Sequence, residues 1–500
     1  MKSIIFINPA AAKEAELKIW SSGVMNKLMD NFMSIVPKTT GMIFAAITPQ
    51  QYDFKYLDED IEEIDFNAKA DLVAITAMTV QATRAYEIAD RFRKSGVPVV
   101  MGGIHATILP DEVGIHCDAV MVGEGENTWP VMLKDLERGT LKKVYAAKDY
   151  PPVTEFVKPR TDAIRGDRYT MHPIQATRGC PYDCDFCSTR FSTGKVYRMK
   201  PVQQVIDEIK EFEKDKKNKI GPYKKGYMFI DDNLYVNREY IKELFTAMKG
   251  LNISWSAQGT INTAFDDEIL SLMAESGCKL YGIGFESLSE ETLKDSNKPK
   301  FNKTEDYATA IENLIRHGIV PGGYFIFGFD NDDISVFQKT VDFAINSHLM
   351  HPLFTVLTPY PGTRVYDRIE AEGRIVDREW KNYNSAECVF TPKKMSKATL
   401  EAGMVWASKR LADIEVIKNQ FKYYWGKGPW PHVKTLNFSE RAVLFGLGLW
   451  LLHYDVKYTK FLFWVIRQKN ASDIGSIFAA LSLHDTAMSL SSSESFQGAN

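Results

Sequence analysis

The chain has 500 residues, 45% of them hydrophobic and 25% charged, as expected of a soluble globular protein that builds large cores in two or three domains. A formal net charge of −3 and the lack of a long basic block speak against a nucleic-acid partner. The start, "MKSIIFINPAAAKEAEL", turns polar too soon for a secretory signal. The six cysteines are not the even, spaced set of a disulfide framework, and point to a reducing cytoplasm.

Strand and helix signals alternate through the first 150 residues. "SIIFINP" reads as a first strand, and "DLVAITAMT" (71–79) as a continuous apolar strand of the buried parallel kind. "TRAYEIADRFRKSG" is an amphipathic helix ending at Gly96. "VPVVMGGIHATILPDE" (97–112) reads as strand, glycine turn and loop, and "DAVMVGEGENTWPVMLKDL" as a further strand and helix. The scheme predicts a doubly wound parallel domain, with the small and polar ends "TAMT", "MGGIH" and "VGEGE" at the carboxyl edge where such sheets bind ligands.

A proline-marked linker follows, "YAAKDYPPVTEFVKPRTD", bounded here as 151–172. Six strands are then expected in "HPIQATRG", "GYMFIDD", "SWSAQGT", "LYGIGFES", "GGYFIFGFD" and "HPLFTVLTPYPGT". Helical stretches such as "PVQQVIDEIKEFEKDKK" and "NREYIKELFTAMKG" separate most of them, so 173–390 reads as a full or partial β/α barrel. Residues 391–485 read as a helical C-terminal region, and 486–500 as a disordered tail. The apolar runs near Trp450 and Trp464 fall short of the roughly 20 residues of a spanning helix. With Lys457, Lys460 and Arg467 they suit a helical cap, an interfacial helix or a lid over a greasy substrate.

The chemistry lies in "TRGCPYDCDFCST" (177–189), which spaces Cys180, Cys184 and Cys187 as C-x3-C-x2-C. Structural zinc usually takes four ligands in two pairs, and no second pair exists here. Three thiolates on one loop suit a 4Fe–4S cluster whose fourth iron stays open. Three buried free thiols, or zinc completed by a distant histidine, are the competing readings.

With Phe186 supplying the aromatic of C-x3-C-x-aromatic-C, this stretch resembles the radical S-adenosylmethionine superfamily. The resemblance implies that S-adenosylmethionine chelates the open iron and that one electron cleaves it to a 5′-deoxyadenosyl radical, with Phe186 beside the adenosyl group. It further implies that Asp231 and Asp232 of "FIDDN" bind the methionyl amine. Glu286 and Ser287 of "GIGFES" would bind ribose, and Ile326 of "GGYFIFGFD" would line the adenine. The last motif departs from the family pattern by one residue and lacks its final glutamate.

The glycine-rich ends of the first domain resemble the cobalamin-binding domain joined to one branch of that superfamily, so the likeness runs over about 1–390. It places Thr76, Gly102, Gly103, His105, Gly123, Glu124 and Gly125 at cobalamin, with His105 in the loop around the nucleotide tail. The D-x-H-x-x-G motif that ligates cobalt elsewhere is absent, and a dinucleotide fingerprint is missing too.

The fold expected is therefore α/β: a Rossmann-like cobalamin-binding domain (1–150), a partial (β/α)6 TIM-type barrel and a helical C-terminal region. The activity implied is cobalamin-dependent methyl transfer to an unactivated carbon of a hydrophobic small molecule: lipid, isoprenoid or tetrapyrrole. A radical cyclase or oxidase of the anaerobic chlorophyll type, or a non-enzymatic corrinoid or electron carrier, are the alternatives. An external electron donor such as flavodoxin or ferredoxin, a cytoplasmic location and a peripheral membrane contact complete the expectation.

Overall fold

A computed structural model describes residues 2–11, 36–147, 156–166, 169, 171–214, 226–411, 413, 415–416, 419–420 and 423–424. Pro151 and Pro152, the aromatic stretch with Trp450 and Trp464, and the polar tail lie outside the described residues.

The first sheet is wholly parallel. Its strands are β1 (Lys2–Asn8), β2 (Tyr52–Asp58), β3 (Leu72–Thr76), β4 (Val99–Gly102), β5 (Ala119–Val122) and β6 (Val144–Ala146), in the order β2-β1-β3-β4-β5-β6. The apolar runs are continuous because both faces are covered. Ile4, Phe6, Leu72 and Ala74 enter one core with Trp129 and Met132. Their alternates Ile5, Ile7, Val73 and Ile75 enter another with Ala85, Ile88, Ala89 and Phe92. Those four belong to the helix Ala82–Lys94, whose apolar spacing is the 3.6-residue stripe read from the sequence.

Three features depart from the sequence reading. The loop expected after β4 folds into two short helices, Ile104–Ile108 and Pro110–His116, the second opened by proline at its first position. β2 is missing from the sequence reading, although Tyr52, Phe54 and Tyr56 alternate with Asp53 and Lys55 at the period of a strand. β6 is a three-residue edge strand inside what reads as a loop. The linker is also partly core: Ile164 and Tyr169 pack under the first sheet, and the Tyr169 hydroxyl donates to Asp58 at 2.9 Å.

The second sheet contains β7 (His172–Ile174), β10 (Gly226–Phe229), β11 (Ser254–Gly259), β12 (Cys278–Glu286), β13 (Val320–Phe327) and β14 (His351–Val356). All are parallel, in the order β14-β13-β12-β11-β10-β7, so neighbours in sequence are neighbours in space. The edge strands β7 and β14 do not pair, which leaves the partial barrel of six units open. Helices 202–214, 238–248, 267–276, 307–316 and 335–346 cover the outside. The helix Lys397–Leu411 lays Leu400, Met404 and Ala407 against the same core. Among the described residues no helix is long and apolar enough to cross a membrane.

"HPIQATRG" was read as one strand and is two. β8 (Thr177–Arg178) leaves the sheet and pairs antiparallel with β9 (Arg198–Met199). The cause is Asp231, whose carboxylate accepts the backbone N–H groups of Ala176 and Thr177 and the Thr177 hydroxyl, taking the place of a neighbouring strand.

Gly277 tests this architecture, since it both ends the helix Asp267–Ser276 and starts β12. Its φ is +104°, and a Cβ would lie 2.1 Å from the Ile253 carbonyl oxygen. Gly250 has φ +81° with nothing within 4 Å. In urea unfolding, Gly250→Ala is expected to cost about 1–2 kcal/mol from the backbone angle alone. Gly277→Ala is expected to cost clearly more, because the clash is with backbone that cannot step aside.

Candidate active site

The three cysteines sit on a loop that β8 and β9 close at its base. Gly179 opens it at φ +87°, with the Val196 carbonyl only 2.3 Å from where a Cβ would stand. The Cys180 N–H donates to the Gly194 carbonyl at 3.1 Å, and the Cys187 N–H to the Cys184 carbonyl at 3.1 Å. Asp232 accepts from the Gly179 N–H at 3.3 Å and from the Thr193 hydroxyl at 2.6 Å. On the far side Arg364 bonds the carboxylates of Asp183 and Asp185, and the Asn297 amide donates to the Asp183 carbonyl at 2.7 Å. The loop is thus fixed from the ends of the first, second, fourth and sixth strands of the barrel.

All three thiols are free and partly exposed. Burial pushes the Cys184 thiol up to about 12, with Lys298 opposing and Cys187, Glu286 and Cys180 adding to the rise. Burial also raises Cys180, and Cys187 adds to that rise. Charge on one thiol thus raises its neighbours, as in a site whose thiols give up their protons to a cationic partner. Among the described residues no three His, Cys, Asp or Glu side chains are gathered to hold a single metal ion. A cluster differs, because each of its irons takes its own thiolate and the ligands stand apart. The loop fits such a cluster.

Around it the polar groups sort into occupied and free. Asp231 is 1% exposed and its oxygens serve β8, so the structure makes it an anchor of the strand rather than a ligand for an amine. Asp232 is likewise engaged with the loop. Its neighbour Asn233, which the sequence reading passed over, is 2% exposed, and its side chain bonds the Cys180 thiol and restrains that thiol's rise. Glu286, at φ +66°, forms an ion pair with Lys298 at 2.6 Å through one of its two carboxylate oxygens. Burial works against the Lys298 ammonium, yet Glu286 and then Cys184 outweigh it and hold its pKa above the ordinary lysine value. Ser287 is buried, its hydroxyl accepting the Ser289 N–H at 3.1 Å. Ile326 is half-buried against the barrel core, and Phe186 meets Phe329 edge to face at 6.0 Å.

The carboxyl edge of the first sheet is turned towards this loop. Glu124, 9% exposed, bonds Arg178 at 2.8 Å and Arg198 at 3.0 Å, and Glu126 bonds Arg178 as well. Arg178 and Arg198 face each other across β8–β9. Glu124, expected at a cofactor, is therefore a tie between the domains. A Cβ on Gly362 would meet Phe191 at 2.9 Å and Ile108 at 3.3 Å, which marks a second meeting point of the two sheets' loops. Trp380 reaches back from the barrel side and donates to Glu112 at 2.6 Å.

Thr76, Gly102, Gly123 and Gly125 remain half-buried at adjacent strand ends, with little side chain to obstruct a planar ligand. Gly103 is at φ +97°, with Ala77 and Thr76 within 3.0 Å of any Cβ, so the close turn there requires glycine. His105 is 1% exposed: Nε2 lies 2.8 Å from the Tyr86 hydroxyl and Nδ1 3.4 Å from Thr79 Oγ1. Burial lowers its pKa to about 4, and both ring nitrogens have partners inside the domain. It offers no ligand to cobalt. The cradle fits a corrin approached by backbone.

A flavodoxin-like parallel domain, docked by its carboxyl edge on the cysteine loop of an open six-unit barrel, defines a two-domain enzyme of radical and corrin chemistry. The family descriptions agree: residues 174–344 match the Radical SAM superfamily and residues 42–133 the B12 binding domain. Two bacteriochlorophyllide d methyltransferases of Chlorobaculum tepidum, for C-12(1) and C-8(2), are each 34% identical to this chain. The match covers 77% of this chain and 85% of the first enzyme, and 70% and 79% for the second. A methyltransferase from Kitasatospora setae, TsrM, solved with cobalamin and a [4Fe-4S] cluster, shares the fold. It superposes with a TM-score of 0.60 over 93% of this chain and 99% of its own, at 16% identity.

The chain belongs to the radical SAM superfamily, in the branch that carries a B12-binding domain. It is a cobalamin-dependent radical SAM methyltransferase whose cofactors are a 4Fe–4S cluster, S-adenosylmethionine and cobalamin, and it acts on a small molecule.

His105 gives a pH test. Its folded pKa lies below the unfolded value of about 6.5, so the stability tied to its neutral form is present above pH 6.5 and is lost as pH falls towards 4. Between pH 7 and 5 the wild type should therefore lose more unfolding free energy than His105→Gln, by about 1–2 kcal/mol in urea titrations.

Proposed function

We propose that this enzyme methylates an unactivated carbon of a hydrophobic substrate, and that the substrate is a chlorin-type tetrapyrrole rather than an isoprenoid or other lipid. The similarity to two bacteriochlorophyllide methyltransferases over most of their length supports the substrate class. The observation that carries the reaction type is the Glu124–Arg178–Arg198 tie, which sets the cradle of the first sheet against the cysteine loop.

Bound together, the cofactors supply hydrogen abstraction from the substrate and a methyl group for the carbon left behind. The chain's own residues hold, orient and shield. Cys180, Cys184 and Cys187 take three irons. Asn233, buried beside the Cys180 thiol, has a donor and an acceptor for the polar end of S-adenosylmethionine. Phe186, Ser287 and Ile326 line the adenosyl side. Thr76, Gly102, Gly103, Gly123 and Gly125 support the corrin, while Asp231, Asp232 and Glu124 position the loop rather than bind cofactor. An external carrier such as flavodoxin or ferredoxin supplies the electron. The enzyme works in the cytoplasm, at the membrane surface where greasy substrates collect.

Anaerobic reconstitution with a strong reductant tests this. With a bacteriochlorophyllide present, wild-type protein should release both 5′-deoxyadenosine and S-adenosylhomocysteine, and its purified form should show a cobalamin spectrum. Cys184→Ala should release no 5′-deoxyadenosine and lose the cluster absorbance. Release of 5′-deoxyadenosine alone would mean a cyclase or oxidase. Neither product from protein with a full cluster would reject the enzyme reading.

A further inference from the structure

Glu286 and Lys298 form a buried ion pair inside the barrel mouth, 2.6 Å apart, their side chains 11% and 8% exposed. Burying such a pair is costly unless the geometry is good, and nothing about strand pairing calls for charge here. Space has been left for it. A Cβ on Gly284 would stand 2.4 Å from the Glu286 carboxylate and 3.2 Å from the Lys298 ammonium, so glycine is the residue that lets both lie over the strand. Glu286 takes up φ +66° to reach this place, an angle that costs a non-glycine residue energy. The segment bearing Lys298 is joined to the cysteine loop: Asn297 donates to the Asp183 carbonyl, Asp185 N–H donates to Ser296, and Phe301 meets Tyr182 edge to face at 5.3 Å. The ammonium lies 6.0 Å from the centre of the Phe186 ring, one residue before Cys187. Lys294, Lys300 and Lys303 are exposed on the same segment and, with the inner wall formed by Lys298, line a hollow of about 430 Å³ that also has Glu290 and Glu305. Solvent and salt screen charges there; the buried pair is screened far less.

We infer that Lys298 and Glu286 set the reduction potential of the three-cysteine site, the ammonium favouring the reduced state and the carboxylate opposing it. The step concerned is the gain of one electron by the cluster from an external one-electron reductant. That adds one negative charge beside the pair, with no bond made or broken. The inference rests on the reading of the triplet as a 4Fe–4S site, and its test separates the two.

The experiment is a redox titration, followed by electron paramagnetic resonance, of anaerobically reconstituted full-length protein. The proteins are wild type, Lys298→Met, Glu286→Gln and the double variant. The midpoint should move negative in Lys298→Met, positive in Glu286→Gln, and return close to wild type in the double variant. Lys298→Arg should keep the wild-type midpoint. If Lys298→Met does not assemble a cluster, Glu286→Gln still decides, since a full cluster without a positive shift overturns the inference. Unchanged midpoints in all variants, or both single variants moving the same way, overturn it as well. A wild-type protein that takes up no cluster would instead reject the reading of the triplet.

Discussion

Four charges, Glu124 and Glu126 from the loop after β5 and Arg178 and Arg198 from β8–β9, are buried together where the two sheets meet. A buried ion cluster is poor evidence of net stability, because desolvation offsets much of the attraction. It is strong evidence of specificity. Removing one member strands another charge away from water, at a cost of about 3–5 kcal/mol, so the arrangement tolerates one docking geometry and penalises its neighbours. The geometry it enforces brings a glycine-lined strand edge against a loop of three thiols.

The rest of the site follows from that constraint. The cysteine loop needs rigidity, yet has no sheet of its own. Asp231 releases β8 from the barrel sheet, Asp232 gathers Gly179 and Thr193, and Arg364 closes the far side. The same β8–β9 ladder carries the two arginines. A single local device therefore holds the thiols and docks the first domain. His105, Tyr86, Glu112 and Trp380 form a second tie between the domains, neutral at its centre and away from the thiols.

Much of this was legible in the sequence. The period-2 and continuous apolar runs located all six barrel strands, and the three-cysteine spacing named the chemistry. What escaped notice was what depends on partners distant in sequence. β6 has three residues and shows no strand pattern without its neighbour; β2 is the exception, since Tyr52, Phe54 and Tyr56 alternate with Asp53 and Lys55 in plain view. Asp231 and Glu124 have the residue types of ligands, and only their partners 54 and more positions away show them to be anchors. Lys298 sits in a lysine-rich loop that reads as solvated surface, yet it alone of those lysines is buried with a carboxylate. Asn233 stands beside two aspartates with the residue type of ligands, and its burial against the Cys180 thiol is visible only in three dimensions.

The claim that one ion cluster couples the two domains at the cysteine loop is tested most directly by hydrogen–deuterium exchange in Glu124→Gln. Amide exchange should rise together in peptides covering 119–126 and 177–199, while the helix Asp267–Ser276 keeps its protection. Acceleration confined to the first peptide, or to neither, would contradict the account.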